Sequence, residues 1–600
     1  MPIDLKSHLA QLETAQLVRR VVETEPAFIF KHALTQETVY QSVLRHRRRE
    51  IHRLVAQAYE VEYGNQCLDE YAAILAQHYA QAGDDAKEFE YSWHAADVAM
   101  RMNANVEATM YFGRAIEIAK RPGVETHDYA SLQNLYLKRG RAFELCGQYD
   151  AALNNYIEME SLAREHQDPA MELGAMLARA TLHTIPTPMQ NLAQGKELLD
   201  RALVLARTLQ DHAAEAKTLW NLMLIEYFFG QQARSVEIGE QALAIARKFD
   251  LREQMAYILN DIGRSYIGVG RIDDATAALE QAREFWQAQG NLPMLADNLA
   301  TAEENAVWAG DYAQAKAFAD QALKICQSTG NLWNQAYVFM TLSEIYLDEG
   351  NYRAAIDAMN ETMQLSEQTG FAAATWFSRV NLAFLYGELG MPARGLVLFE
   401  SHLDQALTTH NAFQTWCLGV LAYLNLLMGM EDEFQRLLQE AQRDANRDDL
   451  INMAPVILTL LESTWAIRQR EFASAERMAC ALLEKYNATN LHGFKSDILL
   501  LAARALRAQN KTDAAREMFH QARDEAETVG VRRVLWEILA DWSELEIEAG
   551  NVDQAQAFRA QARDLIDFIS AHTPDDLRQA FLILPKVKSI LEREPTAHAG

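Results

Sequence analysis

Gly230, Gly270, Gly310, Gly350 and Gly390 stand 40 residues apart, and the same step continues through Met430, Arg470, Asn510 and Gly550. A second ladder runs half a period later, through Asp250, Gly290, Gly330, Gly370, His410, Leu450, Asn490 and Gly530. Two turn columns per period mean two helices per repeat. A helix pair cannot bury its apolar face alone, so such pairs must stack into an all-α solenoid with a common core. No other feature of the 600 residues constrains the fold as strongly.

The columns between the turns agree with this frame. Five residues after the first-column turns lie Ser235, Ala275, Ala315, Ala355, Gly395, Ala475, Ala515 and Ala555. Seven residues before them lie Gly263, Ser343, Ala383, Ser463, Ala503 and Ser543. Small side chains recurring in two columns mark where the helices of a pair cross closely. Tyr266, Tyr346 and Tyr386 share a column, as do Trp376, Trp416 and Trp536, and both are read as core filler. The strings from Gly147 to Ala152, Gly310 to Ala315 and Gly350 to Ala355 resemble tetratricopeptide (TPR) repeats. That resemblance implies a TPR-type α-solenoid. Ile185-Pro186-Thr187-Pro188 cannot be helical and predicts a longer loop. The first helices near Met430 and Arg470 are apolar almost all round (Leu418, Leu421, Leu424, Val456, Ile457, Leu461), which predicts burial on both sides.

The N-terminal stretch is different. Leu5 to Val22 carries helical spacing, Ala27 to Phe30 is β-like, and helices follow through Tyr40 and Ala56. The string Phe28-Ile29-Phe30-Lys31-His32-Ala33-Leu34, with Glu37, Tyr40, Leu44, Arg48, His52 and Ala56, resembles the end of the winged-helix module in bacterial STAND-type signalling ATPases. It is most similar to those fused to class III adenylate/guanylate cyclases and followed by TPR repeats. The resemblance covers roughly residues 5–120. It implies that His32 matches a histidine able to touch bound ADP, and that an ATPase or cyclase domain is a partner. No GxxxxGK[ST] occurs to supply that nucleotide site; Gly195-Lys196 lacks both the earlier glycine and a following Ser or Thr. Arg45, Arg47, Arg48, Arg49 and Arg53 form a basic cluster, read as a solvated helix face opposite a buried stripe of Leu44, Ile51, Val55 and Ala58. Its functional reading, with His32, Arg45, Arg48 and Arg49, is an interdomain or phosphate contact. The expected organisation is a partial winged-helix-like segment over 1–62, the solenoid over 63–570, a capping helix over 571–594 and a disordered tail over 595–600. Thr573 is expected to cap that last helix and Pro585 to kink it.

Charge and cysteine content narrow the function. The net charge is −27, and all of that excess lies beyond residue 60, because the first 60 residues balance at +2. An acidic body argues against nucleic acid and anionic membrane as partners. The five cysteines are scattered and form no CxxC pair, which fits a reducing compartment without a zinc site. No signal peptide or membrane span is evident, so the expected compartment is the cytoplasm. No HExxH, GxSxG, EF-hand loop or kinase set occurs, so neither enzyme activity nor a cofactor is expected.

In TPR proteins the first helix of each pair lines the concave surface. Projected on the present frame, that face contains Tyr257, Asp261, Arg264, Asp297, Glu304, Tyr337, Glu344, Phe377 and Asn381. This is a polar, largely acidic groove suited to a protein or peptide partner that is basic or extended. The expected function is a non-catalytic interaction scaffold in signalling. The alternatives are the regulatory arm of a multidomain cyclase or STAND ATPase and, more weakly, a DNA-binding regulator.

Overall fold

The structure, a computed structural model, describes residues 5–21, 27–63, 68–121, 129–185, 187–399, 411–443, 445 and 454–592. Cys67, Pro186, His410, Leu450 and the tail 595–600 lie outside the described residues. The chain divides into two compact units, Met1–Ala178 and Arg179–Gly600, with the division falling inside one helix.

The first unit opens with α1 (Leu5–Thr14), β1 (Val18–Val21), β2 (Ala27–Phe30), α2 (Ala33–Ser42) and α3 (Arg45–Tyr63). The strands pair antiparallel, with Val18 opposite Phe30 and Val21 opposite Ala27. The helix expected to reach Val22 therefore ends at Thr14. Gln16 takes a left-handed φ of 58° and turns the chain into β1. Leu17, Val18 and Val21 fit either period, and strand pairing with β2 decides the outcome. The buried stripe expected on α3 is also corrected. Leu44 is 68% exposed and Ile51 42% exposed, while Ala56 is buried. The face that packs carries His52, Ala56 and Tyr59, against Leu75 and Tyr79 of the following helix. Antiparallel helices continue through α4 (Leu68–Ala82), α5 (Asp85–Arg101), α6 (Asn105–Ala119), α7 (Tyr129–Leu145), α8 (Tyr149–Glu165) and α9 (Pro169–Thr184).

The second unit is built of α10 (Leu192–Leu209), α11 (His212–Phe228), α12 (Gln232–Lys248), α13 (Arg252–Gly268), α14 (Ile272–Gln289), α15 (Leu292–Trp308), α16 (Tyr312–Thr329), α17 (Leu332–Asp348), α18 (Tyr352–Thr369), α19 (Ala372–Glu388) and α20 (Pro392–Val397). It continues with α21 (Asn411–Leu427), α22 (Glu431–Arg443), α23 (Ala454–Arg468), α24 (Phe472–Asn487), α25 (Lys495–Ala508), α26 (Thr512–Val529), α27 (Arg532–Glu548) and α28 (Val552–Ala571). It closes with α29 (Asp575–Leu582) and α30 (Pro585–Glu592). From α11 to α28 these are helix pairs of a TPR-type α-solenoid. Odd-numbered first helices pack closely on the first helices of the next pair, from α11 on α13 to α25 on α27. Among the described residues no second helix packs comparably on the next second helix. The inner layer is therefore the tighter one, and the first helices line the concave side.

The turn ladder carries the expected left-handed residues at Gly230, Gly270, Gly310, Gly350, Gly390 and Gly550, and also at Arg470 and Asn510. One step slips. Near Met430 the left-handed residue is Gly429, with φ 75°. The expected loop at Pro188 is present between α9 and α10. The apolar helices α21 and α23 are packed on both sides: Trp416, Leu418, Leu421, Leu424, Val456, Ile457 and Leu461 are all buried. At the C-terminus Thr573 does not cap α29. Its hydroxyl donates back to the Ile569 carbonyl at 2.7 Å, and Pro574 occupies the N-cap position. Pro585 starts a new helix, where its missing N–H costs nothing, rather than kinking an old one.

The solenoid coils back on itself. A Cβ built on Gly270 would meet Thr489 at 2.4 Å; one on Gly310 would meet His492 and Val529, and one on Gly350 would meet Ile569 at 2.7 Å. The first-column edge of the early repeats thus lies against the second-column edge of the late ones, at a constant offset of about five and a half repeats per superhelical turn. Backbone bonds join the coils: His492 N–H donates to Trp308 O at 2.9 Å and Arg353 N–H to His572 O at 2.8 Å. At Gly350 a side chain is excluded twice, by its φ of 72° and by the neighbouring coil. Arg470 and Asn510 are exposed turns, so that second constraint is absent and glycine is not required there.

Candidate functional site

The inner helices bring five of the nine expected groove residues into one network. Arg264 of α13 donates to Asp261 at 3.1 Å, Asp297 at 3.3 Å, Thr301 at 2.8 Å and the Tyr337 hydroxyl at 3.4 Å. Its guanidinium lies 5.3 Å from the centre of the Tyr337 ring. Tyr337 in turn donates to Glu304. Trp220 donates its indole N–H to Asp261 at 2.8 Å, and Asn260 donates to Asp297 at 2.7 Å. Burial works against charge on Arg264, yet Tyr337, Asp297 and Asp261 hold its pKa well above the usual value, so it stays a cation.

The other four are placed separately. Tyr257 is half-buried, with its ring 4.9 Å from Trp286 and 5.6 Å from Trp220. Phe377 is buried on α19. Asn381 is buried and accepts from the Trp416 indole at 3.1 Å. Glu344 is partly exposed and, among the described residues, has no hydrogen bond or ion pair. Burial pushes its carboxyl well above the ordinary range, with the charges of Glu304 and Asp348 adding to the effect.

Glu303 is a functional candidate that the columns concealed. It stands seven residues before Gly310, where the other repeats place Gly263, Ser343, Ala383 or Ala503. It is fully buried on α15, and neither carboxylate oxygen has a partner. Burial, then Glu344 and Glu304, raises its pKa well above normal. A large acid in a small-residue column was the available signal. A column read for packing passes over it as an exception.

Arg533 is the second missed residue. It is 4% exposed on α27, and its guanidinium meets Asp497 at 2.9 and 3.0 Å, Asp348 at 3.1 Å and Glu388 at 3.8 Å. It bridges α17 and α19 of the early coil to α25 of the late one. Burial pushes the Glu388 carboxyl up to about 7, despite the attraction of Arg533. Further along the bore Arg504 donates to Asp541 at 2.6 Å, and Lys586 of α30 reaches the same carboxylate at 2.7 Å. The late end of the bore therefore has its charges matched. The early end, around Glu303, Glu304 and Glu344, does not.

In the first unit His32 and the arginines do not form one site. His32, Arg45 and Arg49 are exposed, and no bond or ring contact joins His32 to any of the three arginines. Arg48 packs over the Tyr40 ring at 4.9 Å and donates to Gln41 at 3.1 Å, while Arg47 pairs with Glu50. Among the described residues no group of three or more His, Cys, Asp and Glu could hold a metal ion. No helix there is long and apolar enough to cross a membrane.

No family model and no curated protein matches the chain. Solved structures with some likeness include a Rap protein complexed with competence and sporulation factor: 16% identity, 60% of this chain, 98% of that one, TM-score 0.43. The Cut9–Hcn1 hetero-tetramer of the APC/C shares 12% identity over 93% of this chain and 98% of that one, with TM-score 0.43. A STAND protein with a tetratricopeptide repeat sensor from Pyrococcus horikoshii shares 14% identity over 72% of this chain and 57% of its own, with TM-score 0.34.

Proposed function

We propose that this chain is a non-catalytic, cytoplasmic interaction protein that holds a basic, extended segment of a signalling partner in the bore of its second unit. The supporting observation is the unmatched acidity of the early end. Among the described residues neither Glu303 oxygen has a partner and Glu344 has no hydrogen bond or ion pair, whereas Arg264, Arg504 and Arg533 are each paired with acids. Such groups destabilise the empty fold, so they are read as kept for a ligand that supplies positive charge. The test is a display library of extended peptides selected on the full chain. Enrichment of Lys and Arg on the wild type, lost on a Glu303→Gln/Glu344→Gln double variant, supports the reading. Selection indifferent to peptide charge contradicts it.

A second reading is favoured by the surface of α2 and α3. Leu34 is 80% exposed, Leu54 55% and Val61 85%, and α2 buries no residue. On this reading the segment packs against a nucleotide-binding ATPase or cyclase domain, and the chain is its regulatory arm. Adding such a domain in trans should then slow amide exchange in α2 and α3. No protection at concentrations that saturate binding elsewhere contradicts it.

A further inference from the structure

Where the coils meet, the second unit contains a small cavity of about 30 Å³, lined by Trp308, Tyr312, Phe384, Trp416 and Phe494 together with Glu344. The late coil completes it, because the backbone at Gly493 lies against the Trp308 ring, so that a Cβ there would come within 2.8 Å. Trp416 holds its ring 6.0 Å from Phe494 and 5.9 Å from Phe384. The cavity is large enough for one water-sized polar group.

The polar groups at its wall are not equivalent. Asp348 is already satisfied: Tyr312 donates to one oxygen at 2.6 Å and Arg533 to the other at 3.1 Å. Asn381 turns its oxygen to the Trp416 indole. Glu344, partly exposed, is the wall carboxylate that has no hydrogen bond or ion pair among the described residues. Aromatic faces give a water only a weak O–H···π contact but attract a cation through the ring quadrupole. The protein itself uses this neighbourhood so: Arg533 lies 5.9 Å from the Phe384 ring centre and 5.6 Å from that of Phe494. Arg533 answers Asp348, Asp497 and Glu388, and leaves Glu344, Glu303 and Glu304 without a full counter-charge.

We propose that this box receives an alkylammonium group, with Glu344 as counter-ion and the indole and phenyl faces as its walls. The inference rests on the bore being the partner site, and it specifies which chemical group of the partner is read there. A primary ammonium fits the volume and replaces the missing donor. The groups facing Glu344 are Glu303 and Glu304 from α15, Tyr312 from α16, Asp348 on its own helix and, through Asp348, Arg533 from α27. All but Arg533 and neutral Tyr312 are acids, so binding displaces a proton and strengthens as pH rises.

The experiment uses the full chain labelled with 5-fluorotryptophan, with the Trp308 and Trp416 resonances assigned through Trp308→Phe and Trp416→Phe. n-Butylammonium chloride should shift both resonances saturably, and 1-butanol or sodium chloride at equal strength should not. Glu344→Gln, nearly isosteric, should weaken the effect at least tenfold. The peptide acetyl-Ala-Lys-Ala-amide against its norleucine counterpart separates the sources: a lysine advantage assigns a side chain, and a response to butylammonium alone assigns a free amine. Equal response to butylammonium and butanol in the wild type overturns the proposal, whether or not the variants fold. A partner that enters the bore of Glu344→Gln with undiminished affinity overturns the box and leaves the interaction reading standing.

Discussion

Replacing Arg533 by Met should do more damage than any other single change in the bore. Its guanidinium is almost fully buried and is shared by Asp348, Asp497 and Glu388. Met fills much of the same volume but leaves these acids without their shared cation. Removing one partner of a buried ion cluster costs about 3–5 kcal/mol, mostly from the stranded opposite charges. Burial already raises the carboxyls of Asp497 and Glu388, and Arg533 is what holds both down. Without it they climb further, Glu388 past neutrality, and take up protons as the pH falls, which relieves the penalty by about 1.4 kcal/mol per pKa unit. The loss should therefore be larger at pH 8 than at pH 5. Urea unfolding followed by tryptophan fluorescence gives the magnitude. Repeat arrays need not unfold in one step, so hydrogen exchange must locate the loss. Faster exchange is expected in α17, α25 and α27 and at the His492–Trp308 bridge, with α11 to α13 unchanged. A cost below about 1 kcal/mol, or the same cost at both pH values, would refute the clasp.

Other predictions follow from the same contacts. Gly350→Ala should cost more than Gly330→Ala, which pays only the left-handed strain of about 1–2 kcal/mol, because Ile569 of the next coil blocks the former; equal melting temperatures would contradict coil stacking. Glu388 has its folded pKa at about 7, above its unfolded value, so its contribution is present at low pH and disappears as pH rises from about 4.5 to about 7. Glu388→Gln should flatten the pH dependence of stability by about 3 kcal/mol, given a shift of roughly two and a half units, and a profile parallel to wild type would count against it. Duplex DNA should show no salt-sensitive binding that depends on Arg45, Arg48 and Arg49; binding abolished by their replacement with Ala would reinstate the regulator reading.

The repeat architecture was legible because it is periodic. Small residues before and after each turn, and glycine at the turn, are local requirements of one helix pair, and they recur with it. The one-residue slip at Gly429 was visible only as a glycine next to the extrapolated Met430. What one-dimensional periodicity cannot carry is the stacking of one coil on another. Trp308 and Gly493 meet only because the superhelical pitch brings them together, and no pattern along the chain announces it. The same limit explains the groove. Arg264, Asp297 and Glu304 could be placed on first helices from the repeat frame, but which acids stay unmatched depends on Arg533 and Lys586 arriving from the far end. In the N-terminal segment Leu44 and Ile51 have helical spacing yet are exposed, and spacing alone does not reveal that.

A partner held in this way sits inside the bore. Site-specific photo-crosslinking tests it most directly, with p-benzoylphenylalanine at Tyr257 on the inner helix α13 or at exposed Gln321 on the second helix α16. A lysine-bearing peptide recovered from selection should crosslink at Tyr257 and not at Gln321, and excess unlabelled peptide should suppress the product. Crosslinking at Gln321 with none at Tyr257 would contradict it.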